Sequence, residues 1–442
     1  MSKKSGPRNG PAIERATGTP AGPPTSTSAA TSAGALAPHP SPEWRTRRPG
    51  RISTIAGIGT TVATVLPVFL VGGLSVQLAD TGLTQSRLGI VVAAYWASSA
   101  VFSPLAGRVS ARFGSRWGLS IAATLGGLSL LAIAWLTPSW QSLIVWLALA
   151  GAANALGHPP SNELIGLSVS TRNRAFAYGI KQGAIPLATF LAGLAVPSLG
   201  LTVGWQWTFA IAGSLAAFVV AFVAWQIPPI PSFVRKARRG KNPEKLSKEL
   251  LLFLVLASTA SGLGAAQSNV IGAFTVSAAI DAGFSMAVAG MLLSLGSLGN
   301  LISRPLVGFI ADRGIGGTMT TVAIMMASGA LGLAGMAIAL PWTFAVGCVL
   351  AFGLGWGWSG LLHYVVSQAA GANAARATGL VQSGAYVGSA AGPFAMGFVF
   401  DSFGSTTGWI AAAVIAAVAA SVALIAAYFH PDRRRARQVR AR

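Results

Sequence analysis

Pro104-Leu105-Ala106-Gly107-Arg108-Val109-Ser110-Ala111-Arg112-Phe113-Gly114-Ser115-Arg116 has a near copy 201 positions on: Pro305-Leu306-Val307-Gly308-Phe309-Ile310-Ala311-Asp312-Arg313-Gly314. The register holds on either side. Upstream, Asp80-Thr81-Gly82 with Gly89 returns as Asp281-Ala282-Gly283 with Gly290, again 201 apart; downstream, Gly179 with Gln182 returns as Gly379 with Gln382, 200 apart. Several long apolar segments lie inside that span, so the chain reads as two copies of one membrane bundle. Bundles related by internal pseudo-symmetry are the architecture of proteins that expose a midplane site to one side and then the other.

Hydrophobic residues are 53% of the 442 and charged residues 9%, against roughly 25% charged in a soluble domain. Lipid is the expected solvent. The net charge of +21 would suggest a nucleic-acid partner in a soluble protein, but position excludes that. The basic residues gather at 45–51, 108–116, 172 and 174, 235–248, 304 and 313, 376 and 433–442, in every second loop and at both ends. The intervening loops, near Asp80, Thr137, Leu199, Asp281, Pro341 and Asp401, carry acids and, apart from Arg87, no base. This asymmetry predicts a multi-pass protein of the cell membrane with both termini and the central loop cytoplasmic; a monomer is expected. The single cysteine, Cys348, excludes an intramolecular disulfide.

Residues 1–50 are rich in Ser, Thr, Ala, Pro and Gly and contain no apolar run, so they are expected to form a disordered cytosolic tail and not a signal peptide. Twelve apolar segments follow, each near the ~20 residues that a helix needs to cross the hydrocarbon. Six lie in 51–228 and six in 249–430, joined by a basic cytoplasmic linker at 229–248 and followed by a basic tail at 431–442 suited to anionic headgroups. The expected fold class is an all-α membrane protein of twelve transmembrane helices in two pseudo-symmetric six-helix bundles.

The two turns quoted first resemble the glycine, acidic, arginine, glycine signature of the major facilitator superfamily between its second and third, and eighth and ninth, helices. The resemblance covers about residues 52–430. It implies that the turn makes charged contacts to a neighbouring helix and latches the outward-facing state, with Gly107, Arg112 and Arg116 matching in the first half and Gly308, Asp312 and Arg313 in the second. Ala111 stands at the acidic position of the first copy, so the second copy is expected to carry more of the latch. Gly179-Ile180-Lys181-Gln182-Gly183-Ala184-Ile185-Pro186 and Gly379-Leu380-Val381-Gln382-Ser383-Gly384 are similar to the glycine-bearing fifth helices of many members.

An ionisable residue at the centre of a membrane helix costs about 2.5 to 3.5 kcal/mol on insertion scales, so each one present invites a functional reading. Glu163 and Lys181 lie equally far from Arg172, in the loop between the fourth and fifth helices, and so are expected level with each other, as an ion pair or in one polar pocket. His363 stands 200 positions after Glu163 and is expected to face that level from the second bundle, with Trp356 one heptad earlier as a pocket wall. Asn154, His158 and Asn162 recur every four residues and form a stripe that lipid would reject, beside the helix-weakening Pro159 and Pro160. Gln267 and Asn269 fall mid-helix in the seventh segment, and Gln182 and Gln382 occupy equivalent places in the two halves.

These residues favour a secondary transporter of a small solute, most simply an organic anion drawn to Lys181 and His363, with Glu163 as proton carrier. The alternative within transport is a proton-coupled multidrug exporter using Trp96, Trp356, Trp358 and an acid; a membrane sensor has little in its favour. The chain lacks a phosphate-binding loop of the Gly-x-x-x-x-Gly-Lys type, a nucleophile elbow and histidines at metal-ligand spacing, so it is not expected to be an enzyme or to need a metal or cofactor.

Overall fold

The computed structural model describes residues 48–229, 246–313 and 315–431, apart from the side chains of 111, 171–175, 312, 372 and 375. The Asp312 side chain, most of the expected linker, and nearly all of both expected tails therefore lie outside the described residues. The helices are α1 (Pro49–Gly73), α2 (85–113), α3 (115–135), α4 (Trp140–Ser168), α5 (Phe176–Gly200), α6 (Trp205–Gln226), α7 (Lys248–Asp281), α8 (Met286–Ala311), α9 (Met319–Ala337), α10 (Pro341–Ala370), α11 (376–403) and α12 (405–428).

Two of these pairs run on almost without a loop. An unbroken helix of 51 residues, the length of α2 with α3, would measure roughly 75 Å, more than twice the hydrocarbon thickness. Gly114, at φ 82° and ψ 172°, reverses the chain between α2 and α3, and Gly404, at φ 80° and ψ 173°, does the same between α11 and α12. Only glycine adopts that backbone without strain. The sequence repeat is carried into this detail: Gly204, 200 positions before Gly404, has φ 88° and ψ 165°, and Gly82 and Gly283 both have positive φ.

Helices associate in lipid through close backbone approach, and glycines show where the halves touch. A Cβ on Gly193 of α5 would lie 2.6 Å from the Gly290 carbonyl oxygen of α8, and one on Gly89 of α2 would lie 3.2 Å from Gly397 of α11. On α1, a Cβ on Gly72 would lie 2.9 Å from the Gly272 carbonyl oxygen of α7. All three contacts are at the end that carries the acidic loops. On the same antiparallel pairs nearer the basic loops, Gly107 of α2, Gly379 of α11, Gly179 of α5 and Gly308 of α8 have open space around the Cβ position. The halves are closed together at the acidic-loop end and parted at the basic-loop end.

A carboxylate completes the closed end. Asp401, at the end of α11, accepts hydrogen bonds from Thr84 Oγ1 (2.9 Å), the Ser86 backbone N–H (3.0 Å) and the Ser86 hydroxyl. Thr84 is the N-cap of α2, so an acid of one half caps a helix of the other, satisfying orphan N–H groups and meeting the positive end of the helix dipole. Asp281 does not cross over: it accepts from Ser405 within its own half. Beside the cap, Ser277 of α7 donates to Gln85 Oε1 of α2 at 3.3 Å.

A cap of this kind is worth about 1 kcal/mol, or about fivefold in a two-state population. With Ser277→Cys as reporter, in a chain whose one native cysteine is fully buried, Asp401→Ala should raise the rate of maleimide labelling about fivefold. An unchanged rate would show that the cap does not hold this end shut.

Candidate functional site

Membrane-buried polar side chains lie on α4 and α5 of the first half and on α8, α10 and α11 of the second, and the two sets are joined where α5 packs on α8. Lys181 is 2% exposed. Its stem passes Gly57 of α1, where the absence of a side chain leaves room for Cγ at 3.5 Å from the Cβ position. Its ammonium lies 3.0 Å from His158 Nδ1 and donates to Asn162 Oδ1 at 3.1 Å. His158 and Asn162 are one helical turn apart on α4, so the four-residue stripe does deliver a polar face to one cation. Asn154, a turn earlier, is instead spent within the first half, donating to Ser99 Oγ of α2 at 3.3 Å.

The expected Glu163–Lys181 pair is not formed. Glu163 is one residue beyond Asn162, about 100° further round the helix, and that rotation aims it at α3, where Ser115 Oγ donates to Glu163 Oε2 at 2.6 Å. Equal depth in a hairpin fixes height but not azimuth. Ser115 directly follows the Gly114 reversal, so Glu163 is docked on the turn of the first signature copy. In that turn and its counterpart two arginines lie over rings of nearby residues: Arg112 is 5.6 Å from the Phe113 ring centroid and Arg313 is 3.8 Å from that of Phe309.

Arg304 is a second correction. In the sequence its charge groups with the loop arginines, yet it lies inside α8 and is 9% exposed. Its Nε donates to Asn300 Oδ1 at 2.8 Å, one Nη to the Gln182 carbonyl of α5 at 2.9 Å, and the other to the Trp356 carbonyl of α10 at 3.5 Å. The first carbonyl is available because residue 186, whose N–H would normally take it, is Pro186. The second is available because α10 unwinds over residues 354–357. Gln267 Nε2 fills the neighbouring Gly355 carbonyl at 3.0 Å, and the Ser303 hydroxyl fills that of Gly353. Gln267 is thus occupied with holding α10, and Asn269 with Ala265 and Ser389 at 2.9 Å each, all within the second half.

His363 donates from Nδ1 to the Ser359 carbonyl at 2.8 Å, and Gln382 and Arg304 lie near it. Tyr386 lies near both Gln382 and Ser103 of α2. The expected residues are therefore joined selectively. Lys181, His158 and Asn162 form one cluster, and His363, Gln382 and Arg304 a second, with the Gln182 carbonyl, adjacent to Lys181, linking them. Trp356 is buried between Phe69 of the first half (5.8 Å) and Phe352 of the second (5.7 Å), and Trp96 approaches Tyr386 across the halves at 6.3 Å. Trp358 is sealed inside the second half against Gly264 and Met326.

Sequence reasoning missed Arg304, Asn300, Tyr386 and Ser103. A signal existed for the first: Arg304 precedes the turn residue Arg313 by nine positions, about 13 Å along a helix, the same depth that singled out Lys181.

No three of the described His, Cys, Asp or Glu side chains gather as a metal site. The sequence pattern of the Major Facilitator Superfamily matches residues 52–268 and 254–442. The chain is 30% identical over 380 residues to a 2-nitroimidazole transporter of Escherichia coli (strain K12), covering 80% of this chain and 90% of that one. It is 30% identical over 140 residues to a probable anion transporter 2, chloroplastic, of Oryza sativa subsp. japonica, covering 31% and 26%. Its fold is that of a D-xylose–proton symporter (TM-score 0.68, 18% identity, 85% of this chain and 96% of that chain). It is also that of a bacterial homologue of the human lysosomal transporter Spinster in an inward-facing, unoccupied conformation (TM-score 0.64, 13% identity, 87% and 97%). Repeat, helices, turns and these matches agree: the chain belongs to the major facilitator superfamily and is a multi-pass membrane transporter, not an enzyme.

Proposed function

We propose that this transporter moves a small organic anion by alternating access, with protons as the coupling ion. One observation carries the anion reading: among the described residues the two cations buried in these helices, Lys181 on α5 and Arg304 on α8, are held only by neutral groups, His158, Asn162, Asn300 and backbone carbonyls. Among the described residues no carboxylate joins them, and Glu163 is turned away. Buried charge without a counter-charge is costly, and a bound anion supplies what is lacking. The partial match to a protein named as an anion transporter points the same way. The drug-export alternative called for aromatic residues and an acid in one place; Trp358 lies elsewhere, and no described acid accompanies Trp96 and Trp356.

Support for alternating access comes from the paired glycines. The α2–α11 and α5–α8 pairs each carry a glycine contact at the closed end and a matching glycine pair, Gly107 with Gly379 and Gly179 with Gly308, at the open end. Rocking one half against the other would bring the second set together as the first parts. Glu163, bonded beside the Gly114 reversal, is positioned for its protonation to be read by that turn.

Three outcomes test this. Lys181→Ala should abolish the thermal stabilisation of the purified protein by small anions while leaving any response to cationic drugs unchanged; stabilisation by cationic drugs alone would favour the exporter. Gly179→Cys with Gly308→Cys should cross-link under oxidation, more readily when Asp401→Ala is added, and cross-linking should stop transport; a pair that never cross-links would sink the rocking movement. Glu163→Gln should abolish accumulation driven by a pH gradient in proteoliposomes yet preserve anion exchange, and gradient-driven uptake that survives would remove Glu163 from coupling.

A further inference from the structure

Building on the anion reading, we infer that Arg304 is a direct ligand of a planar oxyanion, such as a carboxylate or nitrate, and that the Gln182 carbonyl stands in the anion's place and must be displaced. A guanidinium has five N–H donors in a planar fork. Here it bonds three acceptors, all neutral and one of them at 3.5 Å. Hydrogen bonds from a guanidinium to an anion are stronger than those to a neutral oxygen, and two parallel ones fit a planar pair of oxygens. An oxyanion therefore competes successfully for the fork.

A second donor is ready beside it. Asn300 presents Oδ1 to Arg304 Nε, which fixes the amide orientation, and its buried Nδ2 has no acceptor among the described residues. The Gln182 carbonyl, in turn, is an acceptor only because Pro186 has no N–H to offer it. The helical ladder resumes one residue on, where Leu187 N–H bonds the Gly183 carbonyl at 3.0 Å. Gln182 belongs to α5 and Arg304 to α8, so the exchange also releases one of the ties between the halves at the level of the site. Pro186 thus supplies an internal competitor that lowers affinity and links occupancy to the α5–α8 contact.

The test uses the full-length protein titrated with acetate, benzoate, nitrate and chloride, read as thermal stabilisation and Kd, in four forms: unmodified, Pro186→Ala, Arg304→Lys and Lys181→Ala. Pro186→Ala returns an N–H to the Gln182 carbonyl, and should tighten binding of the preferred oxyanion about fivefold, the worth of one ordinary hydrogen bond. Arg304→Lys keeps the charge but not the fork, and should erase the preference for planar oxyanions over chloride. Unchanged or weaker binding in Pro186→Ala, or a preference that survives Arg304→Lys, overturns the exchange. If no anion binds the unmodified protein, or Lys181→Ala leaves binding intact, the anion reading itself fails. Binding lost with Lys181→Ala but indifferent to the other two substitutions removes only the exchange.

Discussion

A backbone carbonyl that has lost its helical N–H cannot turn to water inside a bilayer, and must be bonded by a side chain or remain a cost of several kcal/mol. The arrangement of the central site follows from that constraint. The unwound turn of α10 at 354–357 and the proline in α5 release carbonyls at Gly353, Gly355, Trp356 and Gln182, and Ser303, Gln267 and Arg304 fill them. Irregular backbone and buried polar side chains are thus a single feature. Gly353, Gly355 and Gly357 contribute by keeping α10 close to α8 and α9: a Cβ on Gly357 would lie 2.7 Å from Ser303 Oγ.

The absence of water also governs the contact between halves. With no hydrophobic driving force between helices in lipid, backbones must approach to gain packing. Glycines at Gly72, Gly89 and Gly193 permit this on three helices of the first half. The Asp401 cap adds directionality, because a carboxylate across the halves at the α2 N-terminus is satisfied only when that end is shut. Packing alone would tolerate small slippage; three hydrogen bonds to one carboxylate do not.

The repeat made the fold legible, because a register of 200 to 201 positions over paired glycines requires one helical unit laid down twice. Positive φ at Gly82 and Gly283, and at Gly204 and Gly404, shows why those glycines recur. The site was legible where periodicity carried azimuth, as for His158 and Asn162 about Lys181. It was not where only depth was counted: Glu163 shares the height expected of it but faces Ser115. Arg304 was hidden for the opposite reason, since a charge that groups with loop arginines in the chain is nine residues deep in its helix. Gln267 and Asn269 lie mid-helix as expected, but nothing in their spacing signals that a broken neighbour claims the first of them.

The two halves have diverged in a way that matters for mechanism. Val381 occupies the position equivalent to Lys181, and Ser103 the one equivalent to Arg304. Among the described residues each half therefore contributes one buried cation, at non-equivalent places, Lys181 on α5 and Arg304 on α8. These helices form one of the two pairs whose glycines meet at one end and part at the other. If the halves rock as proposed, a solute bound by both cations would bridge this pair, and its binding energy would differ between the two arrangements. A ligand shifts a conformational equilibrium only through such a difference. Two cations on a single half would bind an anion as firmly and move nothing.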